Sequence, residues 1–570
     1  MEGLNVKTVL GGDVRDTQTY SHRLLGYDSR ARDSQTFMRQ TDLKVSTLLS
    51  ETTLNFSKVI GKHDINAVAG FESQTTKFIG TALRGVNVPD TAIQNFNLLN
   101  PSDITVTERD ETRTRESVFG RVQYAYDSRY LASVSVRRDG SSQFGANKRY
   151  ATFPAISLGW NAHNESFLAD NEVVSNLKLR FSTGSLGTTS FLGSYDSLSL
   201  LEPAATIYGT GFLIPSNSEN QDLTWQTNTE TNFGIDLGFL NNRITFGLDY
   251  YTSDIEDILI QQSISEVLGN SSVILNVGDV SSSGLEFELG ASLIDKNDFA
   301  WSFNANLSTV ETEITDLGAI DQLPDGVFGQ SGRGPVFRNY VGGGIGEMWG
   351  LETTGNVEME YIADITRHPN NQTGESYVVD QNNDGVIDRT RTVAEGGDLV
   401  KIGQNTPDFY WGMTHNINYK NFDMSVQLQG SHGADVYNID PLYYGSQWGG
   451  RIDTSRLDAN GDGLADHNGQ RWERNRNQTD ALIQDASFVA IRNLTVGYTI
   501  DQEEVSKLGL SSVRIYGAAT NPLYIMADDY TSYNPEGVKT AGSAGPTQYG
   551  AQVGASPVIR SFTLGLNVNF

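Results

Sequence analysis

Residues 561–570, Ser-Phe-Thr-Leu-Gly-Leu-Asn-Val-Asn-Phe, carry the reading of the whole chain. Phe562, Leu564, Leu566, Val568 and Phe570 are apolar, and the residues between them are small or polar. That is a period of two, closed by an aromatic carboxyl terminus. About ten tilted residues suffice for a β-strand to cross a bilayer. The same alternation would suit an edge strand of a soluble sandwich, so the segments upstream decide.

Those segments repeat the pattern. Ile244, Phe246, Leu248 and Tyr250 alternate with Thr245, Gly247 and Asp249. Phe299, Trp301, Phe303, Ala305 and Leu307 alternate with Ser302, Asn304 and Asn306. Phe422, Met424, Val426 and Leu428 oppose Asp423, Ser425 and Gln427, and Val513, Ile515 and Gly517 oppose Arg514 and Tyr516. One apolar and one wet face per strand is what a lipid-facing barrel needs. The predicted fold class is all-β, a transmembrane antiparallel β-barrel. About sixteen strands are predicted, near 4–17, 43–59, 63–77, 112–127, 129–140, 151–162, 175–188, 223–239, 242–255, 283–294, 298–311, 407–419, 421–433, 486–500, 511–521 and 558–570.

The predicted connections alternate in length. Short turns fall at 60–62, around Ser128, at Asn241, at 295–297 and at Lys420; long loops include 18–42, 78–111, 189–222, 312–406, 434–485 and 522–557. Outer-membrane barrels keep short turns on the periplasmic side. The 312–406 and 434–485 loops are therefore expected to be extracellular. Tyr124, Tyr126 and Tyr130 flank one short turn and Tyr250 and Tyr251 end a strand, as an interfacial girdle or as ordinary strand packing.

Composition agrees. The 570 residues include 58 glycines, 25 phenylalanines and 24 tyrosines, with only 38% hydrophobic residues. That suits strands with one apolar face better than a large packed core. There is no cysteine, which excludes disulfides and thiolate chemistry. The net charge of -28 argues against binding nucleic acid, whose phosphates need a basic surface. No run of eighteen apolar residues suggests a membrane helix. Met-Glu-Gly-Leu-Asn-Val at the amino terminus has no signal-peptide character, so the chain is expected to begin inside a longer unit.

Two loops have calcium-ligand spacing. Asp380, Asn382, Asp384 and Asp388, with the Val386 carbonyl, recur as Asp458, Asn460, Asp462 and Asp466 with the Leu464 carbonyl. Oxygen donors at positions 1, 3, 5 and 9 and Gly at position 6 suit Ca2+ on a flexible loop. Position 12 is Arg391 or Gly469 rather than Glu, so neither is an EF-hand. Acidic turns without metal have the same composition. The expected role of Ca2+ is to fix surface loops.

No catalytic constellation assembles, and no enzyme is expected. The seven histidines are scattered, and no metalloprotease or nucleophile-elbow motif occurs. Gly342, Gly343 and Gly344 lack the Gly-Lys-Ser/Thr that would make a phosphate cradle.

The stretch from Gly120 to Trp160 is recognisable. It holds Gly-Arg-Val-Gln-Tyr-Ala-Tyr-Asp-Ser-Arg-Tyr-Leu, then Ser-Val-Arg-Arg-Asp-Gly-Ser-Ser-Gln-Phe-Gly, then Phe-Pro-Ala-Ile-Ser-Leu-Gly-Trp. With Ser175-Asn-Leu-Lys-Leu-Arg, Leu248-Asp-Tyr-Tyr, Asn276-Val-Gly, Gly284-Leu-Glu and Phe488-Val-Ala-Ile-Arg-Asn-Leu-Thr-Val-Gly-Tyr, it resembles a SusC/RagA-type TonB-linked outer-membrane receptor of the Bacteroidetes kind, along nearly its whole length. The family also carries Asp-x-Asn-x-Asp-Gly loops. The resemblance implies a 22-stranded barrel around a plug in the outer membrane of a Gram-negative cell. It implies import of oligosaccharides or peptides with energy from TonB, and a SusD-like surface lipoprotein as lid.

This chain departs from that pattern. It shows no TonB-box region, plug or amino-terminal carboxypeptidase-like domain, and about six strands are expected to be missing. It reads as a partial barrel over 1–570, reaching TonB only through an absent amino-terminal region. Tyr443, Tyr444, Trp448 and Trp472 are candidates for stacking on sugars or for packing against the lid. Arg137-Arg138-Asp139-Gly140 reads as a structural corner of the rim. The alternative function is a plugless outer-membrane pore or a surface binding or adhesion protein.

Overall fold

The computed structural model describes residues 3–23, 36–89, 95–168, 171–203, 213–263, 272–323, 336–356, 376–384, 387–388, 390–440, 478–507, 509–540, 549–552 and 554–570. It falls into two compact units. One comprises Met1–Trp160, Ser182–Glu230 and Ile255–Val277, the other Asn161–Phe181, Thr231–Asp254 and Gly278–Phe570.

The first unit opens with an antiparallel meander of six strands: β1 (Leu4–Arg23), β2 (Phe37–Ile60), β3 (His63–Val86), β4 (Ile104–Tyr126), β5 (Tyr130–Ser141) and β6 (Tyr150–Asn161). Period-two sequence makes these strands two-faced. Val6 and Leu10 of β1, Leu48 and Leu54 of β2, Phe71 of β3 and Val118 of β4 share the apolar face and are exposed on it. The β4–β5 turn closes because Asp127 and Ser128 both take left-handed φ values of 55°. It leaves Tyr126 opposite Tyr130, rings stacked 6.4 Å apart.

β2 and β3 each run for 24 residues, more than twice what crosses a bilayer. The predicted strands at 43–59, 63–77 and 112–127 stop short of these ends. Beyond the apolar belt both faces carry Thr, Gln and charged residues, so no hydrophobic period marks the extension. In the same unit Phe144, Phe153, Leu192, Leu223 and Trp225 form a buried cluster. The Trp225 indole donates to the Arg149 carbonyl at 3.1 Å.

In the second unit Asp279–Lys296, Phe299–Ser308, Phe409–Tyr419, Phe422–His432, Phe488–Ile500, Ser512–Met526 and Ser561–Asn569 pair antiparallel in that order. Glu311–Asp316 continues Phe299–Ser308 after a short break, pairing with Asp279–Ser283. With Val174–Thr188, Gln226–Phe239 and Ile244–Glu256, each of the sixteen predicted strands falls on an observed one. In the last strand Leu566 lies opposite Ile515, and Asn567 opposite Arg514. Phe562, Leu564 and Leu566 are exposed on the apolar face, as the alternation requires.

The long connections of this unit share a core. Asp435–Asn438 pairs antiparallel with Ile483–Asp485 and parallel with Tyr549–Gln552. Glu347–Gly350 pairs with Val400–Gln404. Phe337, Met348, Tyr437, Ile439, Leu482 and Ala551 are buried together. Each large apolar side chain so buried contributes roughly 1.5–3 kcal/mol. Three loops distant in sequence thus make one cap.

Candidate functional site

The polar face of the second unit is built in rungs. Gly290, Asn304, Thr414 and Gln427 are successive register partners across four strands. So are Glu288, Asn306, Gly412 and Gln429. Glycine makes room here for neighbouring side chains: a Cβ on Gly412 would lie 2.7 Å from Asn306 Oδ1, and one on Gly290 2.5 Å from Thr245 Oγ1. Beside these rungs lies a cavity of about 670 Å³, lined by them and by Asn176, Asp236 and Tyr410. Carboxamides both donate and accept, so the lining can exchange hydrogen bonds with the hydroxyl or amide groups of a polar ligand.

Arginines brace this face across three strands at a time. Arg180 holds Asp236 through Nε and Nη2, both at 2.9 Å, and Asp249 through Nη1 at 2.8 Å. It crosses Gly234, where a Cβ would fall 2.5 Å from the guanidinium carbon. Arg514 reaches Asp423 at 2.9 Å over Gly497 in the same way. In the first unit Arg137 binds Asp139 at 2.6 Å, the Ser117 hydroxyl at 2.8 Å and Glu72 at 3.1 Å. This agrees with reading the Arg137–Gly140 run as structural.

A second cavity, about 560 Å³, lies where the strands meet the cap. Glu311, Glu313, Asp408, Lys401 and the Gly342–Gly344 turn line it. The buried Glu347 carboxylate accepts from Lys401 Nζ at 2.8 Å, the Trp349 indole at 3.1 Å and the Gly344 amide at 3.1 Å. The glycine turn therefore faces a carboxylate and is no phosphate cradle.

Polar side chains sew the cap together. Asp440 accepts from the Ser532 hydroxyl at 2.8 Å and the Gly554 amide at 2.6 Å. Tyr530 donates to Gln552 at 2.7 Å, and Asn438 to Gln484 at 2.7 Å. Burial pushes the Tyr530 phenol up to about 12. Burial also raises Asp435, with Asp485, Asp529 and Asp408 adding like charge against the Gln404 amide that favours the carboxylate.

The first aspartate-rich loop is organised by a residue that its spacing does not reveal. Asp398, fully buried, accepts from the Gln381 amide at 2.8 Å and the Asp388 amide at 2.7 Å. Asn382 accepts from the Asp384 amide at 2.9 Å and donates to the Gly396 carbonyl at 2.8 Å. The Thr390 hydroxyl and amide, then Arg391, hold the Asp388 carboxyl well below the usual carboxylate range. Asn382 and Asp388 thus take part in hydrogen bonds within the loop, and Asp380 is buried. Among the described residues no three carboxylate or histidine side chains are grouped to hold an ion. Val386, the loop from Asp458 through Asn460, Asp462 and Leu464 to Asp466, and the aromatics Tyr443, Tyr444, Trp448 and Trp472 lie outside the described residues.

Set against known proteins, residues 4–383 match the family described as TonB dependent receptor-like, beta-barrel. The chain is 28% identical over 594 residues to TonB-dependent receptor P3 of Formosa agariphila, covering 100% of this chain and 57% of that protein. It is 29% identical over 498 residues to TonB-dependent receptor SusC of Bacteroides thetaiotaomicron, covering 82% and 45%. It superposes on the RagAB peptide importer in its open-open state with a TM-score of 0.78 at 21% identity, covering 100% and 59%. That likeness shows the fold, an antiparallel β-barrel. The chain spans about half the length of the curated relatives it matches. The family is one of receptors and transporters of the Gram-negative outer membrane, and it explains strands with one lipid face and one wet face. By the match over 4–383 this chain belongs to the TonB-dependent receptor β-barrel family.

Proposed function

We propose that this chain forms barrel wall and surface cap of a nutrient uptake receptor. The whole protein imports oligosaccharides or peptides with energy from TonB, under a SusD-like surface lipoprotein. The observation that carries this is the amide-lined hollow on the polar face, flanked by arginine braces. The 312–406 and 434–485 loops are then extracellular, and Tyr443, Tyr444, Trp448 and Trp472 are available to ligand or lid. Bound Ca2+ in the two aspartate-rich loops belongs to the same proposal and is supported by their repeated spacing.

The test is uptake by cells carrying the complete receptor, with and without TonB. Accumulation of labelled oligosaccharide or peptide that stops when TonB is deleted is the expected result. Accumulation indifferent to TonB would favour a pore, and surface binding without accumulation an adhesin. For calcium, protease cutting in 380–398 should rise with chelator in the parent and rise less in Asp384→Asn. Identical cutting with and without chelator would leave these loops as bare acidic turns.

A further inference from the structure

The upper halves of β1–β4 extend past the apolar belt, away from the short-turn end, and their two faces differ in charge. The apolar side continues upward with Asp16, Asp42, Glu108 and Asp110 against Lys44 and Lys77. The polar side carries Arg39, Arg84, Arg109, Arg113 and Arg115, with Glu111 and Asp13 the acidic residues among them. In a chain of net charge -28, that is a concentration of cations on one face.

We propose that this face is a binding strip for an extended anionic oligosaccharide bearing uronate carboxylates or ester sulfates. The inference rests on the uptake-receptor reading and adds a substrate class to it. Arg39 and Arg84 are direct register partners on β2 and β3. Like charges directly opposed cost a sheet stability. Both side chains are exposed, and among the described residues neither forms an ion pair. A sheet gains nothing from such a pair, whereas a planar oxyanion between two guanidinium forks would be gripped by both.

Lower on the strip the cations are already held in place. Arg109 is bound to Glu111 through two hydrogen bonds, at 2.8 and 2.9 Å. Arg113 donates to the Ser194 hydroxyl at 2.8 Å. The two guanidinium carbons lie 4.6 and 5.0 Å from the Phe78 ring centroid. Arg115 lies opposite Gln74, ten residues along β3 from Arg84, so the strip is about 33 Å long. That length fits a chain of several sugars rather than a lone anion.

The strip favours a glycan over an acidic peptide. Both edges of β2 and β3 are used by neighbouring strands, so a peptide cannot be held there by strand addition. Threonines fill the rungs between the arginines: Thr41 and Thr107 flank Ala82, and the Thr47 and Thr76 hydroxyls lie 3.2 Å apart. Hydroxyls of that kind can exchange hydrogen bonds with sugar hydroxyls.

The test uses the intact receptor purified from outer membranes in detergent. Titration with hexagalacturonate, sulfated maltohexaose, neutral maltohexaose and hexaglutamate gives four comparable probes. One of the two anionic glycans should bind, more weakly as salt is raised, and identify the anion by which of them it is. Arg39→Ser/Arg84→Ser should weaken that binding about tenfold or more. Arg39→Lys/Arg84→Lys, which keeps the charge, should weaken it less and shows that the wall still assembles. Equal binding of neutral maltohexaose, tighter binding of hexaglutamate, or undiminished binding in the Ser variant would overturn the strip. TonB-dependent uptake of a neutral glycan or peptide that ignores these substitutions would sink the strip and leave the receptor reading standing. Arginine-dependent binding by a protein that mediates no uptake would do the reverse.

Discussion

Leu566 and Asn567 are neighbours that meet different surroundings. Leu566 stands on the apolar face with Ile515, and Asn567 faces Arg514 on the wet side. Leu566→Arg should cost about 2–4 kcal/mol near mid-membrane, and Asn567→Arg much less. Assembly yield and heat-modifiable migration of the intact receptor would show the difference; equal damage would mean that the faces are wrongly assigned. Asp435 gives a second expectation, in the cap. Its carboxyl is raised above the ordinary value by burial. Between the unfolded value of about 3.9 and the raised folded one, the fold keeps a proton that the unfolded chain has released. The cap therefore loses stability as pH rises through that window. Asp435→Asn should flatten this loss, seen as hydrogen-exchange protection of residues 436–439 that changes less between about pH 4 and about pH 7. Asp388 has the opposite sign. Its lowered carboxyl favours the folded loop above the unfolded value and ceases to do so on acidification.

Whole strands were legible where lipid dictates the pattern. Phe299–Leu307 and Phe422–Leu428 alternate because one face meets hydrocarbon, and the structure puts both where alternation predicts. The extensions of β2–β4 were not legible, because water on both faces imposes no period. The braces were hidden for another reason: Arg180 and Asp249 are 69 residues apart and meet only through register. Asp398 was missed as the hub of its loop because one buried carboxylate has no spacing signature. The braces make a prediction at this scale. A Cβ on Gly497 would lie 2.4 Å from Arg514 Nη2 and 2.5 Å from Asp423 Oδ1, whereas one on Gly517 meets nothing within 4 Å. Gly497→Ala should destabilise the wall by about 1–3 kcal/mol. Gly517→Ala should be close to neutral. Melting of the heat-modifiable form compares them, and equal melting would remove the brace as a source of stability.

At the scale of the molecule, orientation is open to direct measurement. The chain contains no cysteine, so a single introduced thiol reports without background. Tyr533 is exposed in the connection that precedes the last strand. Tyr533→Cys should react with an impermeant maleimide on whole cells. Reaction only after permeabilisation would invert the topology. The cap has one further consequence. Tyr437 and Ala551 are parallel neighbours although 114 residues of chain separate them. Contacts of such separation form late, because a long loop must close before they are rewarded. The 549–552 segment precedes the final strand, Ser561–Asn569, by only a few residues. The outer crown therefore waits for the segment around Ala551 to be delivered. Its closure is a natural timestamp: a molecule that displays a finished crown has brought in residues 549–552.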